Sequence, residues 1–235
     1  GHDEPRGDAS VEAIGAWVKA IRKAVPEIAH FSDPVYSDPA QAPPDLFELF
    51  DILCPNRPMW LSNRKSFDAF YGNQAEAGRT LQLYSCSGPA RLLDPYSYYR
   101  LQAWQCWQIG ASGSFFWAFG DNQGESSWNE YLVRGAYTPL FIDAGTVTPG
   151  VQMEAVRESV EDFETLTMLR DAAKKAKMEG HTPDIVRKAE SLLSDGVAEV
   201  LAAEGTEQLS ITSEKDRTKA DSLRVEALEL LMKLR

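Results

Sequence analysis

Gly113-Ser114-Phe115-Phe116-Trp117-Ala118-Phe119 is the stretch on which the fold turns. From Ser114 to Phe119 it is apolar at odd and even positions alike. Successive side chains of a strand point to opposite faces, so such a strand is apolar on both. That pattern belongs in a parallel sheet covered by helices on each side. Immediately upstream, Asp94-Pro95 opens a helix, with Asp able to cap and Pro suited to the first helical position. This helix carries Tyr98, Leu101, Trp104, Gln105 and Gln108 and stops at Gly110. Before it, Thr80 to Cys86 reads as another strand, preceded by a helix from Ser66 to Glu76 with Gly78 just past its end.

Further upstream the same alternation repeats. Asp51 to Cys54 is a strand stopped by Pro55, and a short helix around Asp45 to Phe50 leads into it. Glu27 to Phe31 is a strand that dissolves into the Pro- and Asp-rich loop Ser32 to Pro44. In front stands a helix from Ser10 to Val25, with Val11, Ile14, Val18, Ile21 and Val25 spaced as one apolar stripe. Successive βα units of this length fit either a doubly wound sheet or a (β/α) barrel. No Gly-rich phosphate loop follows any strand, which argues against nucleotide binding.

Downstream, the character changes at about Thr148. Val156, Val160, Phe163, Leu166 and Leu169 form one helical stripe, Ile185 to Leu201 a second, and Leu223, Leu228, Leu231 and Leu234 a third. Residues 1–147 are therefore expected to be the α/β part, and residues 148–235 a helical extension packed on it.

Composition narrows the partners. A net charge of −11 argues against nucleic acid, whose phosphates demand a surplus of Lys and Arg. Neutral or amino sugars stay compatible. The cysteines, Cys54, Cys86 and Cys106, are odd in number and lie among apolar residues, as buried thiols do rather than a disulfide framework. His2, His30 and His181 lack metal-ligand spacing, and neither metal nor cofactor is expected. No apolar run is long enough to span a membrane.

Two places could carry chemistry. Asp3-Glu4-Pro5 puts adjacent carboxylates before a residue that breaks strand pairing. Neighbouring strand side chains diverge, so both carboxylates can serve one pocket only where a strand ends and the backbone turns. In a barrel that place is the C-terminal rim. Taken alone, the tripeptide is more often a solvated turn. The second place is aromatic: Trp104, Trp107, Trp117 and Trp128 cluster in sequence with Tyr84, Tyr96, Tyr98, Tyr99 and Phe119. Trp104 and Trp107 sit on a helix, where packing is their natural role. Trp117 stands at a strand exit, before a loop containing Asp121, Asn122 and Trp128. An aromatic platform ringed by short hydrogen-bonding side chains suits a pyranose.

In this order, Leu81-Gln-Leu-Tyr-Ser-Cys-Ser-Gly-Pro89, Tyr99-Arg100 with Trp104, Gly113 to Phe119, and Arg157-Glu-Ser-Val-Glu-Asp-Phe-Glu164 resemble the C-terminal part of glycoside hydrolase family 123. They are also similar to the broader bacterial domain-of-unknown-function family 4091. The resemblance covers most of residues 1 to about 175. It implies the second half of a (β/α)8-type barrel followed by an α-helical tail, with the N-terminal half of the barrel, the chain's expected partner, missing. It further implies a retaining β-N-acetylgalactosaminidase-like hydrolase of a β-linked 2-acetamido sugar. The substrate's own acetamido oxygen attacks the anomeric carbon. Asp3 would orient and stabilise that amide, and Glu4 would act as acid and then base. Substrate assistance of this kind departs from the usual pair of carboxylates bracketing the bond. Tyr84, Trp117, Asp121, Asn122 and Trp128 would contact the sugar, and a secreted or periplasmic bacterial location would follow. The rival reading is a non-catalytic carbohydrate-binding or scaffolding relative that kept the same barrel. In Arg157 to Glu164, Arg157 and Glu161 are placed to pair on a helix surface, a structural rather than catalytic role.

Overall fold

The computed structural model describes residues 3–121, 127, 137–180 and 182–234. They form a mixed α/β fold in two compact units, Gly1–Cys86 with Ile109–Trp117, and Ser87–Gln108 with Ala118–Arg235. Among the described residues, no helix is long and apolar enough to cross a membrane.

The first unit runs α1 (Asp8–Ala24), β1 (Phe31–Ser32), α2 (Pro44–Glu48), β2 (Ile52–Leu53), α3 (Arg57–Ser62) and α4 (Arg64–Glu76). It continues through β3 (Thr80–Leu81) and β4 (Leu83–Cys86) to β5 (Ser114–Trp117). β1 pairs parallel with β2, β2 with β3, and β4 with β5. Only Gln82 separates β3 from β4, and its amide donates to the Leu53 carbonyl at 2.9 Å. A parallel bridge between Asn56 and Tyr84 carries the same register onward. The expected strands pair in parallel in chain order, but each regular segment is short, and the first lies at Phe31–Ser32, at the far end of the expected Glu27 to Phe31 and one residue into the expected loop.

β5 departs from expectation. Phe115 and Trp117 are 48% and 54% exposed, so the strand is not buried on both faces. Among the described residues it pairs with β4 at one end of the parallel array. Helix α3 is an addition to the expected elements. Asn56 caps it by accepting from the Met59 amide at 3.1 Å, and Pro58 sits in its first turn. Trp60 of α3 stacks on Tyr71 of α4 with ring centroids 5.2 Å apart, and Phe47 meets Phe70 at 4.6 Å. With Leu46, Leu53, Leu81 and Leu83, these rings form the buried packing between strands and helices. Each fully buried ring or leucine stabilises by roughly 1.5–3 kcal/mol.

The second unit begins with a π-helical turn, Pro95–Arg100, running into α5 (Leu101–Ile109). The expected cap is in place: Asp94 accepts from the Ser97 amide at 2.8 Å. An antiparallel hairpin follows, β6 (Leu140–Ile142) with β7 (Val147–Pro149), which the helical reading from Thr148 onward did not include. Then come α6 (Val151–Met178), α7 (Pro183–Ser191), α8 (Val197–Leu201) and α9 (Lys219–Lys233), with a π turn, Leu192–Gly196, joining α7 to α8. These are the three expected amphipathic helices, the second containing a local π segment. Their shared core includes Leu101, Trp104, Leu166, Leu169, Ala189, Leu192, Val197 and Leu230.

The buried face of α6 corrects the apolar stripe. Ala155, Ser159, Asp162, Leu166, Leu169 and Ala173 are buried, while Val160 is 54% exposed. Polar bonding rather than hydrophobicity orients the first half of the helix. Asp162 accepts from Arg100 Nε at 2.7 Å and from Trp104 Nε1 at 2.9 Å. One turn away and in solvent, Arg157 pairs with Glu161 and with Glu154, the surface role expected of it.

Candidate active site

The site is built where the parallel strands of the first unit end. Residues 3–7 run beside the chain that leaves β1. The Pro5 carbonyl accepts from the Val35 amide at 3.5 Å, and the Gly7 amide donates to the Tyr36 hydroxyl at 3.2 Å. Just before these ties Glu4 takes φ = 46°, the left-handed region that a side chain rarely enters. Holding a non-glycine residue there costs roughly 1–2 kcal/mol. Asp3 and Glu4 lie in a bend rather than at the expected strand end, so the alternation that sends neighbouring strand side chains to opposite faces does not govern them. The cost is met by fixed partners: the Glu4 amide donates to Asp33 Oδ1 at 3.3 Å.

The Glu4 carboxyl has two neighbours. Tyr84, in β4, donates its hydroxyl to Oε1 at 2.6 Å, and Arg6 Nη2 lies 3.3 Å from Oε2. Burial, and then the hydrogen bond to Glu4, push the Tyr84 hydroxyl far above its ordinary range, so it stays a donor at every working pH. Asn56, at the end of β2, also hydrogen-bonds Tyr84. Asp33, which follows β1, shares a hydrogen bond with Asp3. Burial, with the neighbouring Asp3 carboxylate adding to it, raises Asp33 to about 6. Three carboxyl groups, a phenol and a carboxamide therefore converge beyond the C-terminal ends of β1 and β2 and beside Tyr84 within β4.

Of the residues singled out in the sequence, Asp3, Glu4 and Tyr84 are brought together. Trp117 ends β5, where its register partner is Cys86, two residues along the same strand face from Tyr84. It is half exposed and is not a core residue. Asp121 belongs to the second unit, where its carbonyl accepts from the Tyr137 amide at 2.8 Å. Asn122 and Trp128 lie outside the described residues. Asp33, Asn56 and Arg6 are members that the sequence reading missed. A signal for two of them is visible in hindsight: Asp33-Pro34 repeats the carboxylate-then-proline ending of Glu4-Pro5, and Asn56 follows Pro55 at the next strand end. Among the described residues, no group of three or more His, Cys, Asp or Glu could hold a metal ion.

No protein-family model matches this sequence, and no curated protein matches it. Its α/β fold is shared with part of a solved structure, that of a family 123 glycoside hydrolase from Clostridium perfringens, described in connection with glycolipid glycan hydrolysis. The two superpose with a TM-score of 0.61 at 15% sequence identity, over 99% of this chain. The match spans only 40% of the length of the other protein. At that identity, what the comparison shows is the fold.

Proposed function

We propose that this chain carries the acid/base pair of a glycoside hydrolase acting on a β-linked 2-acetamido sugar, within a (β/α)8-type barrel of which β1 to β5 are one part. One observation carries the reading. Glu4 is held in a left-handed turn at the strand ends, its carboxyl on the Tyr84 hydroxyl at 2.6 Å and its amide on Asp33. A strained backbone kept in place by specific partners is characteristic of functional sites. The shared fold with a family 123 glycoside hydrolase supports the same reading.

The chemistry runs in two displacements at the anomeric carbon. In the first, the acetamido carbonyl oxygen forms a bond to that carbon while the glycosidic bond breaks, and Glu4 gives its proton to the departing oxygen. Asp3 stabilises the positive charge that develops on the cyclised amide. Water then attacks the same carbon, Glu4 takes a proton from it, and the ring reopens. Two inversions leave the configuration retained. Trp117, half exposed on the face that Tyr84 shares, would offer its ring to the apolar side of the sugar.

The test is a pair of substitutions in the full-length protein. Glu4→Gln removes the proton donor and should slow substrates with poor leaving groups by about two to four orders of magnitude. Activated aryl glycosides, which need little protonation, should lose less. Asp3→Asn should slow both kinds. If Glu4→Gln turns over a poor leaving group at the wild-type rate, Glu4 is not the acid.

A further inference from the structure

We propose that Asp33 is a positioning residue for the adjacent carboxylates, anchoring Glu4 through its amide and facing Asp3 with the same carboxyl. This rests on the proposed hydrolytic site, and it names a residue that neither the adjacent pair nor the strand pattern would reveal.

The geometry requires such an anchor. Consecutive residues in extended backbone diverge, and Glu4 avoids this only by adopting φ = 46°. A strained turn persists where its surroundings determine it. Asp33 supplies that determination: Oδ1 accepts from the Glu4 amide at 3.3 Å, and the same carboxyl hydrogen-bonds Asp3. One side chain thus grips the backbone of one catalytic residue and the carboxyl of the other.

Its protonation state follows from what faces it. Asp3 and Glu4 approach from the N-terminal segment, with Arg6 paired to Glu4, and Tyr84 approaches from β4. Burial disfavours the Asp33 charge most, while its own backbone amide and that of Glu4 oppose this; Asp3 then adds repulsion and an acceptor for the Asp33 proton. The result is a carboxyl raised from 3.8 to about 6. Below that pH Asp33 is protonated and donates to a charged Asp3. As pH rises through about 6 the proton leaves, two carboxylates face each other, and repulsion replaces the bond. Activity that depends on a well-placed Asp3 should therefore fall on the alkaline side.

Two measurements on the full-length protein decide this. The first needs no turnover: carbon-13 NMR titration of the aspartate carboxyls. Asp33 should titrate at about 6. In Asp3→Asn its midpoint should move down yet stay above the ordinary range, because burial remains. An ordinary midpoint, or one indifferent to Asp3→Asn, overturns the proposal even in an active enzyme. The second is the pH profile of kcat on an activated aryl 2-acetamido glycoside, whose departure depends little on Glu4 protonation. Asp33→Asn keeps an acceptor for the Glu4 amide and a permanent donor to Asp3. It should keep clearly more kcat at low pH than Asp33→Ala and lose the alkaline decline. Asp33→Ala should lose about a hundredfold in kcat, the scale of a misplaced catalytic group. A wild-type decline that survives unchanged in Asp33→Asn contradicts the proposal. Wild-type protein inert on every 2-acetamido glycoside would instead sink the hydrolase reading, and the NMR titration would still decide the role of Asp33.

Discussion

Removing the Asp162 carboxylate should destabilise the second unit by about 3 kcal/mol, toward the lower end of what breaking a buried ion pair costs. Asp162 is 1% exposed and accepts from Arg100 Nε at 2.7 Å and Nη2 at 3.3 Å, from Trp104 Nε1 at 2.9 Å and from Arg224 Nη1 at 3.4 Å. Asp162→Ala leaves a buried guanidinium and a buried indole N–H without their shared acceptor. Unsatisfied buried donors cost roughly 1–3 kcal/mol each, more when charged. Two contacts moderate the loss: Arg100 Nη1 keeps Asp221 at 2.7 Å and Glu158 at 3.3 Å, both partners partly in solvent. For a unit of this size 1 kcal/mol moves Tm by about 2–4 °C, so the transition should fall by about 6–12 °C. Urea denaturation followed by tryptophan fluorescence would measure it directly, since Trp104 is one of the reporters. The double replacement Arg100→Met with Asp162→Leu should cost clearly less than the sum of the two single changes, because neither charge is then left buried alone. A single-mutant cost below about 1 kcal/mol, or strict additivity in the double mutant, would refute the view that this cluster fixes α6 against the π turn and α5.

Two further substitutions probe the site. Tyr84→Phe removes the donor to Glu4 and keeps the ring packing, so kcat should fall by roughly tenfold, the worth of one hydrogen bond, with the thermal transition nearly unmoved; a Tyr84→Phe protein with wild-type kcat would take this tyrosine out of the mechanism. Trp117→Ala should weaken sugar binding by roughly tenfold, equivalent to about 1.4 kcal/mol, at little cost in stability because the ring is already half exposed; isothermal titration with the sugar product would show it, and unchanged affinity would count against the platform.

How much of this was legible beforehand differs between elements. The parallel strands announced themselves through short runs alternating with helices, one of them closed by proline at Cys54-Pro55. Tyr84 and the Asp-Glu pair stood out by residue type, and the structure brings the Tyr84 hydroxyl within 2.6 Å of the Glu4 carboxyl. Asp33 carried only the weak signal of Asp33-Pro34, shared with other aspartates and prolines of the same loop, and only folding brings it to the Glu4 amide. Helix α6 was misread for a different reason. Hydrophobic periodicity assumes that apolar residues choose the buried face, whereas Asp162 and Ser159 lie on it because Arg100 and Trp104 were waiting for an acceptor. The exposure of Phe115 and Trp117 was equally hidden: a strand apolar on both faces reads the same whether it is central or last in the array.

The central claim is that the substrate supplies its own nucleophile, with Asp3 and Glu4 attending it. It is tested most directly by comparing kcat/KM for one aryl β-glycoside carrying a 2-acetamido group with that for the matching 2-hydroxy compound, on the full-length protein. Without an acetamido oxygen there is nothing to close the ring, so the 2-hydroxy sugar should be essentially inert while the 2-acetamido sugar turns over. Comparable turnover of both would mean that a protein group or an activated water attacks the anomeric carbon, and the role given to Asp3 would be wrong.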